Sequence, residues 1–421
     1  MKKSTIRKIT DYFLLTYLIA VTGFPFFYSD IEFFILGFLM PAAVFLMRKP
    51  GTLTGIPRPD KTVVLVFGAF LLVEVLQSLY FGLFEVKTFI GTLMRLGAAY
   101  FTMAILLDRF YDYYVKIIYF FSVISLMFFI PALVIPGFAD FFTDNVAPFF
   151  VSPFHTSGGY YETSPNIIIY TFEKSLFVSS RNSGPFWEPG AFSIFLVLAM
   201  MFRLVQVQNI FDKKVIFFAV VVLTTTSTSG YIALFLLVVS YYVFNRRVNA
   251  LKYVLIAMMV YGASLAYVQL EFLEKKAKND IALASETTTS RFGSALVDLQ
   301  DFVKNPLIGY GRGSNRYGGK QIDQFTSNFH RNNGITQLLV TYGIFIFLIY
   351  FYVYYRNFYR FCKDNAFNVN FALAMLLILM IMGFSQGIFT KPFFYGLLFI
   401  VSTSNGLRSL PHDKVSISDI R

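Results

Sequence analysis

Cysteine occurs once in this 421-residue chain, at Cys362, so no disulfide within the chain can staple a fold. Histidine occurs three times, at His155, His330 and His412, and neither an HExxH run nor a cysteine pair is present. A metal centre is therefore not expected, nor any other cofactor. Charge is also scarce. Only 14% of the residues are charged, where a soluble domain carries about 25%. That is too little polar surface to cover a water-facing globule.

What fills the chain instead is apolar, at 56% of residues, with 53 Phe and 27 Tyr. Apolar runs near 20 residues recur from end to end, each long enough to cross about 30 Å of hydrocarbon. They predict an all-α integral membrane protein, one polytopic domain over 1–421. The predicted spans are 10–28, 31–47, 62–82, 88–107, 115–136, 189–206, 215–226, 229–244, 253–269, 334–355, 368–387 and 392–406, twelve transmembrane helices in all. No cleavable signal peptide is read after Met1–Lys8, because no small-residue cleavage site follows. With both termini cytoplasmic, every inside segment holds at least two Lys or Arg, among them Lys2, Lys3, Arg48, Arg58, Arg109, Lys116, Arg203, Lys213, Arg246, Arg356 and Lys363. This is the positive-inside pattern. It accounts for most of the net charge of +12 without nucleic acid.

Two outer segments are long, 137–188 and 270–333. In the second, Ser290 reads as a helix cap, and Phe292, Ala295, Leu296, Leu299, Phe302 and Val303 form a helical stripe that stops at Asn305–Pro306. The stripe predicts a helix lying flat on the membrane or on the bundle. Gly309-Tyr-Gly-Arg-Gly313 follows, glycines of the kind that let backbone N–H groups approach phosphate.

Three groups stand out chemically. Arg181-Asn-Ser-Gly-Pro-Phe-Trp-Glu-Pro-Gly190 closes the first outer loop and holds the only tryptophan. It reads either as a rigid re-entry turn with an interfacial Trp, or as an arginine aimed at phosphate with Glu188 orienting it or serving as base. Glu74 and Arg95 lie inside spans, where unpaired charge costs several kcal/mol, so the two are expected to pair. Ser327-Asn-Phe-His-Arg-Asn-Asn333 gathers His330, Arg331, Asn332 and Asn333 before a span, and His330 is a candidate base near neutral pH.

In order along the chain stand Arg181-x-x-Gly184-x-x-x-Glu188-Pro189, Thr226-Ser-Thr-Ser-Gly-Tyr231, Ser290-Arg291-Phe292, Asn305-Pro-Leu-Ile-Gly-Tyr-Gly311, the His/Asn stretch, and Gln337-Leu-Leu-x-x-x-Gly343. This ordered set resembles the bacterial O-antigen polymerase and ligase superfamily, the Wzy and WaaL proteins, over about residues 60–405. The resemblance implies a GT-C-like fold with two long periplasmic loops in the bacterial inner membrane. It implies a glycosyltransferase that uses a glycan on undecaprenyl diphosphate, without nucleotide sugar or metal. Arg181 and Arg291 would hold the diphosphate, joined by Arg95 and Arg312; His330 or Glu188 would be the base; Glu74, Arg331, Asn332 and Asn333 would support them. Membrane lipids, a Wzz-like chain-length regulator and a flippase are the implied partners. A Wzy-type polymerase of O-antigen or capsule fits best. Family ligases place a histidine eleven residues before a glycine, and counting back from Gly343 meets Asn332 instead. The alternatives are a ligase acting on lipid A-core or protein and, in another class, a transporter or lipid-glycan flippase.

Overall fold

The computed structural model describes residues 3–25, 30–48, 61–82, 84–150, 164–173, 181–244, 291–312 and 333–400. The helices fall where the apolar runs lie, except the one that opens at Arg291. In chain order they are α1 (Lys3–Gly23), α2 (Asp30–Arg48), α3 (Lys61–Phe81), α4 (Val86–Leu106), α5 (Arg109–Val134), α6 (Pro189–Val207), α7 (Lys213–Thr224), α8 (Thr228–Phe244), α9 (Arg291–Lys304), α10 (Gly334–Asp364), α11 (Phe371–Phe384) and α12 (Pro392–Leu397). Among the described residues six of these, α2 to α6 and α10, are long and apolar enough to cross a membrane, and α8 and α11 are shorter apolar helices. The chain is thus an all-α, multi-pass membrane protein. The expected span 253–269 lies outside the described residues. The spans expected at 215–226 and 229–244 are indeed two helices, α7 and α8, separated by a turn at Thr225–Ser227.

The only strands among the described residues are β1 (Phe172–Glu173) and β2 (Arg181–Asn182), an antiparallel pair in the first long loop. Asn182 ties this pair to the bundle. Its Nδ2 donates to Ser125 Oγ on α5 (3.1 Å) and to Thr224 Oγ1 on α7 (2.9 Å).

α6 is the axis of the packing. From Pro189 to Val205 every residue but Arg203 is buried, and α5, α7, α8 and α11 pack round it. Lipid is as apolar as these side chains, so close contact rather than escape from water holds the helices together. Small residues allow it: a Cβ on Gly230 of α8 would lie 2.9 Å from Ser193 Cβ of α6. Phe195, Phe186, Phe393 and Phe394 stack round the same helix.

Basic residues gather at the end of the bundle away from the first residues of α6. There the buried Asp11 carboxylate takes Arg48 from α2 and Arg109 from α5, binding three helices. Arg203 holds Asp212 through two hydrogen bonds of 3.0 and 2.9 Å, which keeps the Asp212 carboxyl below its ordinary range.

α10 breaks inside its apolar length at Gly343 (φ 75°, ψ −179°). The stretch Asn305–Gly311 fills the break. Tyr310 N–H donates to Val340 O (2.9 Å), Gly311 N–H to Thr341 O (2.8 Å), and Ile344 N–H to Pro306 O (2.9 Å). Gln77 of α3 adds bonds to Ile308 O (2.5 Å) and Thr341 O (2.8 Å). The Gly309–Gly311 run is therefore a plug for a broken helix. A Cβ on Gly309 would lie 2.6 Å from Val340 O, and one on Gly343 would run into Leu307 O.

The stripe on α9 is a helix face as expected, but it points outward. Phe292, Leu296, Leu299 and Val303 are exposed, while Ser294, Asp298 and Asp301 are buried against the bundle. Asp298 Oδ2 accepts from Thr336 Oγ1 on α10 at 2.5 Å, which explains why the polar side turns in.

Gly343→Ala is expected to destabilise the protein by more than about 2 kcal/mol, because it adds a Cβ at positive φ against backbone. Gly68→Ala on α3 meets open space and is expected to be neutral or to stabilise by up to about 1 kcal/mol. Thermal melting of the two detergent-purified variants checks the contrast.

Candidate functional site

The segment that leads into α6 carries the site. β1–β2 pairing sets Glu173 directly across from Arg181. The guanidinium is then held on three sides: Nη1 donates to Glu173 Oε1 (3.1 Å), Nε to Thr226 Oγ1 (2.9 Å) and Nη2 to Thr226 O (3.3 Å). After Arg181 the chain turns at Gly184 (φ 52°), and Trp187 N–H donates to Gly23 O at the end of α1 (3.0 Å). Lys391 Nζ sits 5.7 Å from the centre of the Trp187 ring. The re-entry turn is present, and Glu173 and Thr226, rather than the expected Glu188, orient Arg181.

Glu188 occupies the N-cap of α6 but makes no side-chain cap bond. Its carboxylate turns sideways. Gln386 Nε2 donates to its Oε1, and Arg291 Nη2 lies 3.7 Å from the same oxygen. Glycine at 190 gives these side chains room, since a Cβ there would lie 2.8 Å from Gln386 Nε2 and 3.0 Å from Glu188 Oε1. Arg291 opens α9, and its Nε donates to Ser385 O (2.8 Å). The two arginines come from segments more than a hundred residues apart and line one cleft, with Glu188 also in its wall.

The cleft encloses about 190 Å³. One wall is hydroxyl-rich: Ser227, Thr228 and Ser229 from the start of α8, with Ser385 from the end of α11. The serine hydroxyls are linked: Ser385 Oγ donates to Ser229 Oγ (3.0 Å), Ser229 and Ser227 share a bond of 3.1 Å, and Ser193 Oγ donates to Ser227 Oγ (3.4 Å). The other wall is apolar, with Ile232, Phe292, Ile381 and Phe384. Phe292 and Ile232 are exposed, so the apolar wall reaches the protein surface. The first turn of α6, with its free N–H groups and positive dipole end, lies beneath Glu188.

The other expected residues fall into three places. Arg312 and Glu74 do not line this cleft. Arg312 lies near the break of α10, beside Tyr342 and within electrostatic reach of Tyr395 and of Glu74 on α3. Arg95 is half-buried on α4. Asn333 caps α10, its Oδ1 accepting from Ile335 N–H and Thr336 N–H at 3.1 Å. Gly334, next to it, packs on the carbonyls of Gln386 and Gly383, which places the start of α10 beside the Glu188 partner. His330, Arg331 and Asn332 lie outside the described residues.

Glu173, Ser385 and Gln386 had no place among the sequence candidates. Ser385 and Gln386 were absorbed into the apolar span 368–387, although two polar residues at the end of such a run are a signal. Glu173 becomes visible only through the strand register.

No family model matches the chain, and no curated protein matches it.

Ser229→Cys is expected to react with a small thiol reagent in the intact protein, because Ser229 lines the cleft. The native Cys362, buried within α10, is expected to stay unreactive. Mass spectrometry of the labelled protein checks both.

Proposed function

We propose that this chain is a Wzy-type polysaccharide polymerase. It transfers a glycan from undecaprenyl diphosphate to the end of another lipid-linked repeat. The observation that carries the reading is the meeting of Arg181 and Arg291 in one cleft with Glu188, an apolar wall running outward beside them. Such a cleft suits an amphiphile with an anionic head. The tail lies along Ile232, Phe292, Ile381 and Phe384, and the diphosphate lies at the arginines.

The reaction follows from that placement. The acceptor hydroxyl attacks the anomeric carbon, the new C–O bond forms, and the bond from that carbon to the diphosphate oxygen breaks. The leaving diphosphate keeps the electron pair, and the fixed guanidinium groups stabilise its growing charge. The hydroxyl proton passes to Glu188, with His330 the second candidate. Arg95, Arg312 and Glu74 do not line the cleft; Arg312 and Glu74 act near the plugged break of α10.

In this reading the fold is GT-C-like with twelve spans, both termini are cytoplasmic, and the cleft faces the periplasm of a bacterial inner membrane. A Wzz-like regulator and a flippase are its working partners. A second reading, transport of a lipid-linked glycan, draws on the broken helix α10 and the Arg312–Glu74 cluster within the bundle, features that line paths in transporters.

Arg181→Ala and Arg291→Ala are expected to abolish polymer at normal protein level, read as loss of the chain ladder on a gel; unchanged ladders would rule out the diphosphate role. Alkaline-phosphatase fusions after residues 160 and 300 are expected to be active and a fusion after 210 inactive. The reverse pattern would overturn the sidedness.

A further inference from the structure

Thr226 sits in the turn between α7 and α8 with φ 47°, in the left-handed region that β-branched residues avoid. The turn does not need threonine for its own sake, since glycine would adopt the same backbone without strain. What threonine adds is a hydroxyl. The hydroxyl and the carbonyl of this one residue accept from Nε and Nη2 of Arg181, the side-on edge of the guanidinium (2.9 and 3.3 Å). Glu173 takes one N–H of Nη1 at 3.1 Å. Three of the five guanidinium N–H groups are thereby used. Among the described residues these contacts leave one N–H on each Nη nitrogen, and a bidentate oxyanion takes one N–H from each of two guanidinium nitrogens.

We propose that Thr226 is a positioning residue: its strained backbone directs two oxygens at Arg181 and fixes the guanidinium for an oxyanion in the cleft. The proposal rests on the diphosphate-binding reading of Arg181 given above. Thr226 belongs to the run whose next three residues, Ser227, Thr228 and Ser229, line the cleft, so the turn builds the hydroxyl wall and aligns the arginine at once. An arginine held in advance loses less side-chain freedom when the anion arrives. Backbone strain retained at such a place belongs to function rather than to folding.

The test uses the full-length protein in nanodiscs and two probes with one tail, farnesyl diphosphate and farnesol. Thr226→Gly and Thr226→Val are expected to weaken farnesyl diphosphate roughly tenfold, the scale of a hydrogen bond to a charged group, and to leave farnesol binding unchanged. Thr226→Ser restores most of the affinity. Thr226→Gly is expected to melt at or above the wild-type temperature, so its weaker binding is not lost folding. If Arg181→Ala loses farnesyl diphosphate but Thr226→Gly and Thr226→Val bind it as wild type does, the positioning role is wrong and the diphosphate site stands. If Arg181→Ala itself binds farnesyl diphosphate as wild type does, the diphosphate reading falls, and the role of Thr226 with it.

Discussion

A helix that breaks inside hydrocarbon leaves backbone N–H and C=O groups with no water to take them. The break of α10 at Gly343 is the place where this constraint bears hardest on the chain. Val340, Thr341 and Ile344 find partners in Pro306, Tyr310 and Gly311, and Gln77 of α3 closes the remaining gap. The two glycines at 309 and 343 are required because backbone passes against backbone there. The same device recurs past α11. The hydroxyls of Tyr350 and Tyr354 donate to Phe389 O and Phe394 O, and Asn357 donates to Leu397 O and Leu398 O. α10 thus supplies hydrogen bonds to the irregular chain before α12 and to the carbonyls at the end of α12.

The cleft depends on these repairs. α9 is continuous with the plug that fills the break, so the position of Arg291 follows from the docking of Asn305–Gly311. Asp298 against Thr336 fixes the same helix at its middle. Gln386, the partner of Glu188, lies on the irregular stretch between α11 and α12 and touches the start of α10. Arg181 approaches from the other side, carried on the β1–β2 pair that Asn182 fastens to α5 and α7. Two arginines and one carboxylate thus reach a common cleft from loops that local sequence does not connect.

Apolar run length located the helices, because crossing hydrocarbon demands a minimum length of apolar chain. The separation of the spans 215–226 and 229–244 was also legible, since hydroxyl residues interrupt the run. The break at Gly343 was not. Hydropathy is continuous across it, and the residues that fill it lie some thirty positions upstream. The facing of α9 was hidden for a related reason. Periodicity reveals a stripe, but in a membrane the surroundings are apolar too, so the stripe does not say which side is inside. Arg181 and Glu188 were legible as charges at the mouth of an apolar span, and Arg291 through the family resemblance. Glu173 was not, because its role depends on a two-residue strand register. The closeness of Glu74 to Arg312 and Tyr342 was not legible either, because the docking of the plug brings Arg312 to it.

The central claim is that the cleft transfers glycan from a lipid diphosphate. Reconstitution of the purified protein in nanodiscs with a glycan on undecaprenyl diphosphate, without nucleotide sugar and with a metal chelator, tests it directly. The account predicts longer lipid-linked glycans and one undecaprenyl diphosphate released for each bond formed. Intact substrate with no released undecaprenyl diphosphate would contradict it.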